Sequence, residues 1–278
     1  MPVYSKLLNF ILILTGLYST LNLKLRPGLR VLMYHRITKM PKYDQLSVDP
    51  ELFEIQMSFL KDNFDVISIV EAIDRLKEGT YVGNEVVITF DDGYIDNYLA
   101  ALPVLKKYNL PASIFITTEF TDQVRSHPRY ETEQSLHLSW DDVNELTKSN
   151  ITIGAHTVSH PYLQQISPQD SLREIQMSKL TIENNINLPV DIFCYPSGDY
   201  GQRELTYLKQ TGYIAALTVS PGVNRQSTNL LELKRTEITN KDDLKYFKRK
   251  MSGAFDPLHF LLDLKRKRIF SKKKYNKI

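Results

Sequence analysis

The stretch Ile88-Thr89-Phe90-Asp91-Asp92-Gly93-Tyr94 runs strand-forming residues straight into two carboxylates. Adjacent like charges repel, and burying either one without a partner is costly. Something positive must stand near them. The stretch Gly154-Ala155-His156-Thr157-Val158-Ser159-His160 sets two imidazoles four residues apart after another apolar run. On a helical turn such residues share a face, and two imidazoles there can grip one cation. A carboxylate from another strand end completes a two-histidine, one-carboxylate set with positions open for water and substrate. A divalent ion held this way lowers the pKa of bound water towards about 7 and polarises a carbonyl. One aspartate of the pair can be the third ligand while the other stays free to accept a proton. Neighbours on a regular strand face opposite ways. The chain is therefore expected to leave strand geometry at 91–93, with Gly93 supplying the unusual backbone angles.

These residues need strands that end beside one another. Short apolar runs at 31–34, 66–69, 86–90, 112–117, 151–155, 191–195, 214–219 and 233–238 read as strands. Helical spacing is predicted at 51–63, 70–77, 97–108, 140–149 (with Ser139 as N-cap), 168–185 and 203–210. Strands alternating with helices imply βαβ units and a largely parallel sheet. Seven or eight strands suit a closed or nearly closed barrel, with an open doubly wound sheet as the competitor. In either architecture the site lies at the C-terminal ends of the strands. The strand-end residues are His35, Asp91 with Asp92, the stretch 117–119, His156 with His160, Tyr195-Pro196-Ser197-Gly198, and Arg235. The polar stretch 120–137 is long enough to expect a functional loop.

Composition narrows the function. Residues 265–278 carry eight cations and no acid, so the rest of the chain is mildly acidic although the whole carries a formal charge of +3. An acidic body argues against nucleic acid as the main ligand. The chain has neither GxGxxG nor GxxxxGK[ST], which weakens nucleotide-binding readings. A single cysteine, Cys194, rules out an internal disulfide and reads as a small buried hydrophobe. Trp140 reads as helix packing. His127, His137 and His259 carry no motif.

Three stretches resemble the polysaccharide deacetylases, the NodB-homology family of carbohydrate esterases (family 4). They are Thr89-Phe90-Asp91-Asp92-Gly93-Tyr94, the run 138–163 that contains His156 and His160, and 193–201 (FCYPSGDYG). The resemblance spans roughly residues 30–240 in the expected order. It implies an α/β fold, a distorted (β/α)7-like barrel. It implies Asp91 as general base and Asp92, His156 and His160 as ligands of a divalent metal, most often Zn2+, with Thr89 supporting the strand end. Tyr195, Pro196, Ser197 and Gly198 would form one wall, with the Ser197 N–H as oxyanion donor. The implied reaction removes N-acetyl groups from an N-acetylhexosamine polysaccharide or lipid-linked glycan. Deformylation or O-deacetylation at the same site, and a catalytically inactive glycan-binding module, remain as alternatives.

The chain departs from the family pattern twice. Many members carry an arginine two residues before the proline of the third motif, where it orients the base; here that position is Cys194. Arg235, at a later strand end, is the expected substitute. Many members also carry a late histidine as general acid, and none lies between 161 and 258. Leu32-Met33-Tyr34-His35-Arg36-Ile37 is similar instead to the biofilm-polysaccharide branch, whose early histidine takes that role. This assigns the acid to His35.

The organisation expected is an apolar, amphipathic segment at 1–25, a deacetylase domain at 26–256 and a basic tail at 257–278. The first segment falls short of the roughly twenty apolar residues that span a bilayer. It fits a helix lying in a membrane surface, a cleaved signal peptide or a buried helix. With the tail, it leads to the expectation of an anionic membrane surface as a partner beside the glycan, in the cell envelope, on a side the sequence leaves open.

Overall fold

The computed structural model describes residues 28–40, 44–123 and 136–256. The segments 1–25 and 257–278, with His127 and His259, lie outside the described residues. In chain order the elements are β1 (Arg30–Tyr34), β2 (Arg36–Ile37), β3 (Ser47–Val48), α1 (Pro50–Asn63), β4 (Asp65–Val66) and α2 (Ile69–Glu78). Then come β5 (Glu85–Phe90), a π-helical turn (Asn97–Ala101), α3 (Leu102–Tyr108), β6 (Ala112–Ile116), α4 (Trp140–Thr147) and β7 (Ile151–Ala155). The last are α5 (Pro168–Ile186), β8 (Ile192–Cys194), α6 (Gln202–Gln210), β9 (Ala215–Leu217), β10 (Thr236–Glu237) and α7 (Leu244–Met251).

The main sheet runs β10-β1-β5-β6-β7-β8-β9, with every neighbour parallel. β4 pairs with the first residues of β5, and β6 takes the later half of that same edge. The sheet curls until its ends nearly meet. Leu233 N–H donates to Ala216 C=O and Leu233 C=O accepts from Thr218 N–H, while three residues later Thr236 and then Glu237 pair with Leu32 and Met33. The predicted strand 233–238 is thus a segment that leaves β9 and joins β1. That handover makes the paired strand short and closes the curl, as a (β/α)7-like barrel requires.

Alternation along the strands sorts the residues into two sets. Leu32, Tyr34, Ile88, Phe90, Ile114, Ile116, Ile153, Ala155, Phe193 and Ala216 pack outward against the helices. Val31, Val87, Phe115, Ile192, Cys194 and Leu217 share an inner cluster with Ile69, Ala72, Ile73 and Leu76 of α2. Helix α2 therefore packs against the strand starts. Inside, a Cβ on Gly154 would come within 2.4 Å of the Phe115 ring, so the missing side chain makes room for that ring. Each large side chain buried this way contributes about 1.5–3 kcal/mol. Continuing the inward set past the strand ends brings His35, Asp91, Thr117 and His156 to one mouth.

Two predicted helices differ. The stretch 97–108 is a π-helical turn followed by α3. Pro103 has no N–H to donate to Leu99, and its ring crowds that carbonyl in a regular helix, so the register changes there. Helix α2 starts at Ile69 because Ser68 caps it, its hydroxyl accepting from Glu71 N–H. The capping box at Ser139 and Asp142 starts α4 where expected. Trp140 packs against the outer core.

Candidate active site

β5 delivers Asp91, whose N–H bonds Tyr34 C=O at 3.0 Å, at the end of the inward-facing row. Asp92 then turns the chain. It holds φ at 72°, and Gly93 follows at 70°. The departure from strand geometry thus begins one residue before the glycine, at a carboxylate in the left-handed region. Such strain outside glycine is uncommon and gathers at functional sites. Here it sets both carboxylates at the mouth, each buried.

Asp92 Oδ1 lies 3.4 Å from His156 Nε2 and 3.5 Å from His160 Nε2. The three donor atoms lie within 4.8 Å of one another. Ligand bonds of about 2.0–2.2 Å at tetrahedral angles set neighbouring donors about 3.4 Å apart. Asp92 Oδ1 is buried and makes no hydrogen bond, an orphan that a cation would satisfy. His156 Nδ1 lies 2.7 Å from Cys194 C=O, which can only accept. The proton therefore sits on Nδ1, and Nε2 turns a lone pair to the centre. These residues fit a divalent metal.

The two histidines meet differently from the predicted helical turn. Residues 156–162 form a loop with Thr157 at φ 70° and His160 at φ 57°. Thr157 Oγ1 donates to His156 C=O and accepts from His160 N–H. Glu174 of α5 pins the loop from behind, accepting from Val158 N–H at 2.8 Å, Ser159 N–H at 2.9 Å and Ser159 Oγ at 2.6 Å. Helix geometry would remove the N–H groups Glu174 binds. Nothing in the motif pointed to Glu174, which lies fourteen residues past His160 on a helix of its own.

Arg235 takes the other carboxylate. Its Nη1 and Nη2 donate to Asp91 Oδ1 and Oδ2 at 2.7 Å each, Nη1 reaches Thr89 Oγ1 at 3.2 Å, and Nε donates to Thr218 C=O at 2.8 Å. Burial pushes the Asp91 carboxyl up, but the charge and paired N–H groups of Arg235 hold it below its ordinary value. Burial acts likewise on Asp92, which His156 and His160 hold well below. Cys194 is buried, as expected, but not as a bystander hydrophobe. Its Sγ lies 3.0 Å from Arg235 Nη2 and 3.5 Å from Asp91 Oδ2, and burial pushes the thiol up. His35 Nε2 stands 3.9 Å from Asp91 Oδ2.

The third stretch splits by alternation. Tyr195 turns into the outer core, its hydroxyl bonding Leu231 C=O at 3.0 Å and its ring stacked on Tyr200, so its side chain is structural. Pro196 is buried, and Ser197, exposed at φ 54°, turns the chain with Gly198 at the mouth. A Cβ on Gly198 would meet Val219 at 2.5 Å. Asp199 ties this turn to the histidine loop by accepting from Gln164 N–H at 2.8 Å. His137 is buried, stacked on Tyr94 and beside Phe120, whose ring lies 6.3 Å from that of His160.

Fold and site together define a barrel of the NodB-homology type. A family model described as polysaccharide deacetylase matches residues 78–216. The Bacillus subtilis (strain 168) protein YxkH, a polysaccharide deacetylase by name, is 32% identical over 213 residues, covering 76% of this chain and 71% of YxkH. The poly-β-1,6-N-acetyl-D-glucosamine N-deacetylase of Escherichia coli (strain K12) is 22% identical over 237 residues, covering 73% of this chain and 35% of that protein. The structure of the Streptococcus pyogenes deacetylase PplD in complex with acetate aligns with a TM-score of 0.72 at 28% identity, over 81% of this chain and 98% of that one. The chain belongs to the polysaccharide deacetylase family.

Proposed function

We propose that this protein is a metal-dependent hydrolase that removes N-acetyl groups from an N-acetylhexosamine polymer. The observation that carries the reading is the buried donor set of Asp92, His156 and His160 beside a second carboxylate held apart from it by Arg235. A Zn2+ ion held by the first three residues would activate water and polarise the amide carbonyl. Asp91, unligated and ionised, takes the proton from the attacking water. Arg235 keeps that carboxylate charged and aimed. The Ser197 N–H, on the turn at the mouth, is proposed to receive the developing oxyanion. His35, whose Nε2 stands 3.9 Å from Asp91 Oδ2, protonates the leaving amine. The E. coli relative's name points to β-1,6-linked N-acetylglucosamine as the first polymer to try.

The test joins metal analysis to acetate release. Purified protein should contain about one zinc per chain and release acetate from β-1,6-linked N-acetylglucosamine oligomers. Asp91→Asn should keep the metal and lose turnover. Formamido and O-acetyl analogues run in parallel separate deacetylation from the two related hydrolyses. Stoichiometric metal and glycan binding without any acetate would instead make the chain a binding module.

We further propose that the chain works against an anionic membrane in the cell envelope. Arg30, first residue of β1, pairs with Asp256 at 2.9 Å. The two ends of the described domain thus lie together at the barrel end opposite the mouth. An amphipathic sequence before residue 26 and a cationic one after 256 suit an anionic lipid surface. Sedimentation of the full chain with vesicles containing anionic lipid, weakened by Lys272→Gln, Lys273→Gln and Lys274→Gln together, tests this. Equal binding by the triple variant would remove the tail's role.

A further inference from the structure

The proposed acid, His35, belongs to none of the regular strands of the main sheet. It sits in a one-residue gap between β1 and β2, where a backbone could tilt freely. The structure instead holds that gap from one side. Asn97 Nδ2 donates to His35 C=O at 2.8 Å. Asp96 Oδ1 accepts from Ile37 N–H at 2.8 Å, and Asp96 Oδ2 from Arg36 Nε at 3.2 Å. Two adjacent residues therefore grip His35, Arg36 and Ile37 in turn. Both are buried, and Asn97 opens the π-helical turn that follows Asp91 and Asp92. Such turns are rare and are often found at functional sites. Here the turn's first residues lie beside β2.

His35 and Asn97 each keep one further polar atom. His35 Nδ1 and Asn97 Oδ1 are both buried and both lack a hydrogen bond.

We infer that Asn97, seconded by Asp96, is the positioning residue of the acid, locking His35 in place through its carbonyl. The inference rests on the reading of His35 as acid. In that step the C–N bond breaks, the proton on His35 Nε2 passes to the departing nitrogen, and acetate and a free amine result. An amine is a poor leaving group and needs that proton; an aryl oxide does not. The residue that positions the acid should therefore matter for amides and little for activated esters.

The experiment compares hydrolysis of a β-1,6-linked N-acetylglucosamine oligomer with that of an aryl acetate in the zinc-loaded full chain. The variants are Asn97→Leu, which keeps the branched outline but removes both polar atoms, and Asn97→Asp, which keeps the shape but cannot donate to His35 C=O. His35→Ala is the reference. The amide-to-ester ratio should fall about tenfold or more in both Asn97 variants and further in His35→Ala, in line with what a placed acid contributes. Metal content and melting temperature identify simple misfolding, in which both rates fall together. Parallel loss of both rates in folded, metal-loaded Asn97 variants, with a selective loss in His35→Ala, overturns the positioning role alone. An unchanged ratio in His35→Ala overturns the acid itself, and the inference with it.

Discussion

Arg235 and Asp91, 144 residues apart, meet through two hydrogen bonds of 2.7 Å in a fully buried pair. The guanidinium arrives from the segment that closes the barrel, and its Nε is fixed on Thr218 C=O. A planar fork suits this geometry, and an ammonium cannot span both oxygens and the carbonyl.

Arg235→Lys and Arg235→Met should therefore shift the pH profile. Arg235 holds the Asp91 carboxyl below its ordinary value against the effect of burial. Removing it leaves burial unopposed, and the pKa rises. A base must be ionised to act, so the acidic limb of kcat/KM should move to higher pH, further for Met than for Lys. The plateau should drop by about a hundredfold in the Met variant as aim is lost. Arg235→Met should also cost about 3–5 kcal/mol of stability, because it strands a buried charge. Bound zinc should stay. An acidic limb that does not move in either variant would detach Arg235 from the base.

Arg235 is legible as a strand-end residue, and its pairing with Asp91 through the resemblance, as the substitute for the arginine whose place Cys194 takes. The same logic reached His35, Asp92, His156 and His160. It missed what fixes them. Glu174, Asn97 and Asp96 sit on helical or π-helical residues with no motif of their own, and their partners are mostly backbone groups, which no side-chain pattern records. The helical turn expected at 156–160 failed for a related reason. The i, i+4 spacing cannot distinguish a helix from a loop in which Thr157 and His160 are left-handed. Tyr195 is expected in a site wall with Pro196, Ser197 and Gly198, but alternation sends its ring into the core.

Glu174→Gln and Glu174→Ala probe the histidine loop. Glutamine keeps one acceptor oxygen, while alanine leaves the N–H groups of Val158 and Ser159 without a partner. Residues that orient metal ligands from outside typically account for 10–100-fold in affinity. Zinc affinity, measured by competition with a chromophoric chelator, should fall about 10-fold for Gln and nearer 100-fold for Ala. Circular dichroism should remain that of the native barrel. Wild-type affinity in Glu174→Ala would mean the loop holds itself.

Cys194→Ala should do little. Both Asp91 oxygens are taken by Arg235, and His156 is oriented by the carbonyl of residue 194 rather than its thiol. Activity should stay within about threefold, and the stability loss near 1 kcal/mol, as for a small buried truncation. Burial pushes the thiol up, so it stays protonated at neutral pH. The native protein should accordingly resist iodoacetamide until denaturant opens it. Rapid alkylation of the folded protein would contradict this placement.

Gly154→Ala tests how the barrel interior limits the site above it. The residue lies in β7, two positions before His156, and its φ is not left-handed, so an alanine there meets no backbone strain of its own. In a less crowded place the change would stabilise, since alanine loses less chain entropy on folding. Here the new methyl would stand 2.4 Å from Phe115 Cε1 and 3.0 Å from Ile192 C=O. The ring cannot move outward through the sheet, so the strand must shift or the ring must tilt. Overpacking of this kind costs about 1–3 kcal/mol, more than the entropy gain. Phe115→Leu alone should also destabilise, by opening space. Combined, the two should cost less than their sum by about 1 kcal/mol or more, because each relieves the other. Urea unfolding of the four proteins measures this cycle, and zinc titration follows whether strain at Gly154 reaches His156. Additive losses would show that ring and glycine do not share the space, and a stabilised Gly154→Ala would contradict the packing of the barrel interior.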